Sequence, residues 1–492
     1  MNGASARGSR EPMRGAWLCF LAFAGCGEAT DSARQAEIAS VITRAEEAQI
    51  RARPALAAGK YARMASSLYD YHRGSLAVFR ADFARDHLGL AQSRYALDHP
   101  LVGGTGDPHF ENFGVLVASD DTLALEPNDF DAADRLPYWW DLRRLAVGMV
   151  LAAHASNPGA PAANDSTVAA EREIARAVVG GYADALGALA AGGSSERVTA
   201  PGDSVILEDA FLRSQKDLAD HEELGELTVL QGNHRRLLRG PPDPAEPSEA
   251  LADLPANVLA ALPAALERYR ATLLAPPPAA HFQLLDAARV FGKGIASWPR
   301  VRILILVRGA SDAADDDVIL ELREIGDSAL AGWYPPGEYH DSVGQRLIAT
   351  SRVAWARPDA APLWGATSLL GLPCQVRWES EGQKTLRVRR LVGQLGTAQA
   401  LIALARRLGA LQARIHSADA SALWQVVGRD PEGFVDEHSA VAVRYAAGVR
   451  EDFSAFRAAL DRLGPLLGLA PRPEDQPPPD LAALLGTPPS SN

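Results

Sequence analysis

Cysteine is almost missing from this chain, and the three that occur are poorly placed for structural work. Cys19 and Cys26 fall in the N-terminal segment and Cys374 stands alone, so no disulfide framework and no zinc site with CxxC or Cys/His spacing can be built. Lysine is nearly as rare, occurring only at Lys60, Lys216, Lys293 and Lys384, which leaves arginine to carry the basic charge. That charge is outweighed: a net −12 argues against a nucleic-acid binder, which needs a basic stripe for phosphates. The nearest approach to a stripe, Asn233-His234-Arg235-Arg236 through Arg239, reads as a solvated helix end. No internal repeat is visible, and beyond the N-terminus no run is long and apolar enough to cross a bilayer.

What is present begins with Arg7, Arg10 and Arg14 ahead of "AWLCFLAFAGC". A positive start, a short apolar stretch and small residues before a cysteine form the pattern of a secretory leader over residues 1–26. "FAGC" resembles the bacterial lipobox, with Phe23 where an aliphatic residue is usual. The expectation is a monomer of the cell envelope, periplasmic or tethered through a lipidated Cys26. A cytoplasmic location is the alternative if the N-terminus is mis-assigned.

Along the rest of the chain, residues 27–50 read as a linker running into a helix, and 51–284 as a helical lobe interrupted by a Pro-rich loop at 241–247. "FGVLVAS" and "TLALEPNDFD" read as two strands turning at Asp120-Asp121. Residues 285–393 form a β-rich block, in which "DAARVF", "VRILILV", "DDVILELREIG", "PCQVRWE" and "TLRVRRLVG" are strands and 337–355 is a helix. Helices return over 394–468, and the Pro-rich tail 469–492 reads as disordered. Segregated helices and strands predict an α+β fold.

The chemistry concentrates in "GTGDPHFENFG", Gly104 to Gly114, and in "NDFD", where Asp129 and Asp131 follow the next strand. Phosphoryl transfer needs one carboxylate to orient and deprotonate a hydroxyl, and an oxygen-rich pair to hold Mg²⁺ against the phosphates. A D-x-x-x-x-N loop followed by D-F-x distributes those roles in kinases. Asp107 is then the base, Asn112 and Asp129 the metal ligands, and Asp131 an auxiliary acid; the implied cofactors are Mg²⁺ and ATP. His109 is expected to order the loop by hydrogen bonding. Gly292-x-Gly294-x-x-Ser297 lies between two strand-like runs, as a phosphate-covering turn would, and a strand bearing Arg323 follows.

"GDPHFEN" matches the G-D-x-H-x-x-N loop of aminoglycoside-phosphotransferase-like kinases. More broadly, "KYARMASSLYDYHRGS", "GDPHFENFG", "NDFDAADRLPYWWDLRRLA", "VFGKGIAS", "LELREI", "GQRLI" and "LGALQARIHS" occur in order. Through them the region from Arg51 to Arg457 resembles the bacterial domain-of-unknown-function family 2252, which is grouped with kinase-like proteins. The resemblance implies a two-lobed kinase-like fold. Because the β-rich lobe follows the catalytic loop here, the fold is expected to be circularly permuted, with the chain returning through a hinge near Leu391–Leu395. The family's V-K-E strand reads Leu322-Arg323-Glu324, and Val343 stands where the lysine's glutamate partner belongs. Arginine does not reproduce a compact ammonium, so either the chain is a weak or inactive kinase that still binds a ligand, or Lys293 substitutes as the cation. For Lys293 the alternative is exposure at a turn, for Arg73 a phosphate contact or a brace for the catalytic loop, and for Asp141 a helix cap or a stabiliser of the metal loop. His416 is expected to be structural. Two rivals from other classes stand beside this: a non-catalytic envelope binding protein, and a two-metal phosphoesterase using Asp107, His109, Asp131, Asp134, Asn233 and His234.

Overall fold

The computed structural model describes residues 18–97, 101–156, 165–220, 222–240, 250–326, 343–379, 381–472, 477 and 479–485, with 18–31 as backbone alone. Residues 1–17 of the expected leader, and the Pro-rich loop at 241–247, lie outside the described residues. Cys26 falls within the backbone of the first helix. The helices are α1 (Leu18–Ala45), α2 (Glu47–Ala52), α3 (Pro54–Met64), α4 (Leu68–Gly74), α5 (Leu76–Ala84), α6 (Tyr138–Ala155), α7 (Asp165–Ala190), α8 (Val205–Asp220), α9 (Glu222–Leu227), α10 (Ala256–Arg270), α11 (Val343–Ala354), α12 (Ala398–Ile415), α13 (Ala420–Val427), α14 (Pro431–Leu463) and the single turn α15 (Pro479–Ala482). Among the described residues, no helix is long and apolar enough to cross a membrane.

The strands are β1 (Leu101–Gly104), β2 (Phe113–Val117), β3 (Leu123–Pro127), β4 (Asp134–Pro137), β5 (Thr228–Gln231), β6 (His234–Leu237), β7 (Ala250–Asp253), β8 (Leu284–Phe291), β9 (Arg302–Val307), β10 (Val318–Glu324), β11 (Gly365–Leu369), β12 (Leu372–Trp378) and β13 (Lys384–Thr385). They make a six-stranded sheet in the order β11-β12-β10-β9-β8-β7, a three-stranded sheet β13-β2-β3, and the pairs β1-β4 and β5-β6. All pairings are antiparallel. The fold is α+β.

Helix α6 sits at the centre of the larger unit because its sequence leaves it no wet side. Every residue from Tyr138 to Ala152 is buried: most are apolar, and the charged Asp141, Arg143 and Arg144 among them are held by partners inside the protein. Helices α7, α12 and α14 pack around it, and α1 lies against α14. The six-stranded sheet is buried on both faces for the same kind of reason. In "RILILV" of β9, Ile303, Ile305 and Val307 pack towards Val258, Leu262 and Tyr269 of α10. Their neighbours Leu304 and Leu306 join Leu224, Leu237 and Val290 on the other face, following the two-residue period of a strand.

Several expectations are corrected here. The arginine run at 233–239 is no helix end: β6 pairs with β5 across Gly232, whose φ of +65 fits a tight turn. The sheet takes its edge strand β7 from residues ahead of 285. "TLRVRRLVG" supplies only Thr385, the second residue of β13, before short 3₁₀ turns at Val388–Arg390 and Gly393–Gly396. The chain has therefore already crossed from β12 to the β2 sheet before Leu391. Within the tail expected to be disordered, Leu484 and Leu485 are buried against the sheet core.

One contact from α11 fixes the loop that carries Asp129 and Asp131. The Arg346 side chain, fully buried, donates to the carbonyls of Phe130 (3.3 Å), Ala133 (2.5 Å), Asp131 (2.8 Å) and Gly326 (2.8 Å). Arg346→Ala would leave those buried acceptors without their donor. It is expected to lower unfolding stability by about 3 kcal/mol or more, read as a fall in denaturant midpoint at unchanged m-value.

Candidate active site

The loop after β1 is held by its backbone. Asp141, in the first turn of α6 and fully buried, accepts from Thr105 N (2.7 Å), Thr105 Oγ1 (3.2 Å) and Gly106 N (2.9 Å). Gln412 Nε2 of α12 donates to the same carboxylate (2.9 Å), and His416 lies 3.6 Å away. Asp141 is thus no helix cap but the anchor of the loop. Trp140 Nε1 adds a bond to Gly106 O (2.7 Å). Gly106 has φ +78, and a Cβ there would sit 1.9 Å from the carbonyl oxygen of Ala132. Only glycine lets the loop of Asp107 touch the loop of Asp129 and Asp131 backbone to backbone.

Farther along, His109 Nδ1 accepts from Glu111 N (3.2 Å), ordering the short turn Phe110–Asn112. Burial pulls His109 well below the ordinary histidine value, so its ring is neutral. Asn112 Nδ2 donates to Asp107 O (2.8 Å), which leaves the amide oxygen for other work. The β2-β3 hairpin pairs Phe113 with Pro127, and Asn128 N donates to Asn112 O (3.0 Å). Asp129 therefore follows directly beside Asn112. Arg73 braces the turn through Glu111 (3.1 Å). Burial would raise Glu111, but Arg73 and Arg387 hold it at about 2.

Asp107 meets Arg144 of α6: Nε donates to Oδ1 at 2.8 Å. The same guanidinium donates to His72 O (2.8 Å) and bonds His72 Nδ1 (3.0 Å). Burial pushes the Asp107 carboxyl up to about 6, against the pull of Arg144. Both properties suit a proton acceptor near neutral pH.

Across the cleft, Arg323 and Lys293 both have carboxylate partners. Arg323 Nη2, on β10, donates to Asp131 Oδ1 (2.7 Å), Asp129 Oδ1 (3.2 Å) and Gln375 Oε1 (2.9 Å). Arg300 takes the other Asp131 oxygen at 3.0 Å. Burial would raise Asp129, but Arg323 holds it at about 2. Lys293 is half-buried and pairs with Glu379 at 2.7 Å. The Gly292–Ser297 segment leaves β8 with positive φ at Gly292 and Gly294, and Arg302 Nη2 donates to Ser297 Oγ (3.2 Å).

Asp107, His109, Asn112, Asp129, Asp131, Arg73, Lys293, Gly294, Ser297 and Arg323 all line one cavity of about 600 Å³. Gly292 is not in its lining, although its carbonyl receives Arg63 at 3.4 Å. Nine arginine or lysine side chains face four carboxylates in that lining, so a chain of net negative charge has gathered a cationic cleft. A second cavity of about 670 Å³ adjoins it through Arg73, Lys293 and Gly294, with Leu251, Val290 and Leu304 of the sheet on its wall. His234 of the phosphoesterase alternative stands on β6, outside both linings.

Arg144, Arg300 and Arg346 were not anticipated. The signal for Arg144 lay in "WWDLRRLAVGMV": arginines inside an apolar helical run must be buried and must therefore find partners. Among the described residues, no group of three or more His, Cys, Asp or Glu is placed to hold a metal. Of the expected ligands Asn112, Asp129 and Asp131, the oxygens that these bonds leave are Asn112 Oδ1 and Asp129 Oδ2, since the bonds to Asp129 fall on Oδ1 and both Asp131 oxygens meet arginines. Two hard oxygens suit Mg²⁺ that shares its shell with phosphates and water.

The model of the family DUF2252, described as an uncharacterized protein conserved in bacteria, matches residues 51–459. No curated protein and no solved structure matches. The contact at Gly106 yields a direct test: Gly106→Ala should destabilise the fold by about 2 kcal/mol or more and separate the two loops, read as a lowered thermal midpoint.

Proposed function

The chain belongs to this family, and from its cleft we propose that it is a kinase-like phosphotransferase moving a phosphoryl group from Mg-ATP to a hydroxyl acceptor. The observation that carries the reading is the facing of two loops and one strand. Asp107, Asn112 and Asp129 line the same cavity as the Gly292–Ser297 turn and Arg323. In protein kinases a glycine-rich turn covers the phosphates, a cation stands on the third strand, and catalytic-loop and metal-binding acids lie opposite. Here the turn joins β8 to β9, Arg323 is on the following strand β10, and α11, β11 and β12 come next. The sheet order supports a small lobe of that type, placed late in a permuted chain.

On this reading the adjoining cavity takes the nucleoside against Val290 and Leu304, and its triphosphate reaches the Gly294–Ser297 turn. The acceptor oxygen attacks the terminal phosphorus. The bond from that phosphorus to the bridging oxygen breaks, the diphosphate leaves with the electron pair, and the hydroxyl proton passes to Asp107. Asn112 and Asp129 would hold Mg²⁺, which supplies charge neutralisation on the phosphates. Arg323 keeps a positive charge opposite them, as a fork rather than a point. The leader-like N-terminus supports an envelope location, periplasmic or tethered at Cys26.

A second reading, a binding protein with little turnover, is favoured by one observation: Arg323 already bridges Asp129 and Asp131. The two readings are separated by experiment. A non-hydrolysable ATP analogue with Mg²⁺, at one hundred times its dissociation constant, should stabilise the protein by about 2.7 kcal/mol. The shift should vanish in Asp129→Ala; no shift in the parent protein, or an equal one in the variant, sinks the nucleotide reading. Label transfer from ATP then distinguishes catalysis from binding. Turnover should also rise with pH through about 6, as Asp107 loses its proton. The stability contribution runs the other way. A carboxyl raised on folding contributes below its ordinary value and loses that contribution as pH climbs through about 6. A flat rate profile from pH 5 to about 8 would remove Asp107 from the base role.

A further inference from the structure

The sheet wall of the first cavity is organised by one buried carboxylate, Glu321 of β10. Its Oε1 accepts from Arg302 Nη1 of β9, and its Oε2 lies 2.7 Å from Nε and from Nη2 of Arg377 on β12. Strand register produces the grouping. Arg377 stands directly across from Glu321, whereas Arg302 stands across from Arg323. Like charges opposed on one face of a sheet repel, and this pair turns to different acids: Arg323 to Asp129 and Asp131, Arg302 to Glu321. Arg302 Nη2 also donates to Ser297 Oγ at 3.2 Å, which ties the group to the glycine turn. The charges on this wall do not cancel. Arg300 and Arg323 face Asp129 and Asp131, and Lys293 faces Glu379, cation for anion. Arg302 and Arg377 share the one carboxylate of Glu321. Burial would raise that carboxyl, but the two arginines hold it well below its ordinary range. It is therefore ionised, and the group of three carries a surplus positive charge.

The surplus sits where the two cavities meet. Arg73, Lys293, Arg377 and Arg387 line both of them, and among the described residues Glu111 is the one carboxylate that does. Resting on the phosphotransfer reading, we propose that Arg302 and Arg377, held by Glu321, are the site that grips the nucleotide's polyphosphate as it crosses from the second cavity into the first. Arg377, at the junction, meets the phosphates nearer the nucleoside. Arg302, beside Ser297, meets those nearer the transfer, while Arg323 stays with Asp129 and Asp131. A guanidinium fixed along one edge by a carboxylate presents its remaining donors in a set plane, which matches paired phosphate oxygens. A surplus charge in a partly dry site is costly until a counter-ion arrives, so the group favours a polyanion over a neutral ligand. Glu321 is a positioning residue in this arrangement: it touches the arginines and not the phosphates.

The test titrates the full chain calorimetrically with inorganic tripolyphosphate and, separately, with the non-hydrolysable ATP analogue, both in Mg²⁺. Tripolyphosphate should bind, and the analogue should displace it. Arg377→Gln should weaken both ligands roughly tenfold, and Arg377→Lys should recover part of the loss. Arg302→Lys cannot span Glu321 and Ser297 with a single ammonium and should also weaken both. The Arg377 side chain keeps 16% of its surface exposed, so Arg377→Gln should hold the thermal midpoint of the ligand-free parent; if it folds poorly, Arg302→Lys carries the test. The assignment is overturned if tripolyphosphate fails to bind a parent protein that binds the analogue, or if the two bind without competing. It also falls if the folded variants bind both ligands undiminished. Failure of the phosphotransfer reading shows separately: tripolyphosphate binds the parent and is weakened in Arg377→Gln, while the analogue does not bind the parent at all.

Discussion

One buried carboxylate sets the position of nearly everything in the cleft. Asp141 is fully inside the protein, and it survives there because four donor groups converge on it: Thr105 N, Thr105 Oγ1, Gly106 N and Gln412 Nε2. A carboxyl group in such a place is tolerated only when its polar atoms are hydrogen-bonded. The arrangement therefore fixes a loop, a helix start and a distant helix relative to one another. Asp107 follows Gly106 immediately, and Arg144 descends from the same helix as Asp141 to receive it. The base and its orienting cation are two consequences of one anchor.

The second theme is arginine as an interior cation. The contacts between the helical unit and the sheet are made largely by this residue: Arg53 to Glu324, Arg323 to Asp129 and Asp131, Arg300 to Asp131, and Arg346 to four carbonyls. Five donors on a planar, weakly hydrated group can satisfy several acceptors at once, which a lysine ammonium cannot do in the same geometry. The scarcity of lysine in the sequence thus acquires a structural counterpart. These pairs contribute more to the definition of the cleft than to net stability, since desolvation cancels much of the attraction.

The candidate site was legible where its geometry is local. Asp107, Asn112 and Asp129 lie on two loops joined by a short hairpin, so their spacing alone brought them together. The long helices α6, α12 and α14 were equally plain, because their periodicity is sustained. Four-residue strands such as β5, β6 and β7 carry too few residues to show a period, and the arginines of β6 disguised it further. The partners of Lys293, Arg323 and Arg144 were beyond sequence reading for another reason. Each is chosen by contacts between segments dozens to hundreds of residues apart, and an arginine facing a metal-type aspartate looks the same in sequence whether or not they touch.

The late return of α12 has a consequence for how the molecule comes into being. The loop of Asp107, helix α6 and Asp141 are all made early by a ribosome working from the N-terminus, yet Gln412 and His416 emerge only after the entire sheet has been synthesised. Until then Asp141 lacks one of its donors and α7 lacks the helix it packs against most extensively. The nascent chain must hold a hydrophobic helix and a polar anchor in a half-built state while an intervening domain's worth of residues passes. The cleft is therefore among the last parts of the protein to be completed, although its chemical groups are among the first to be made.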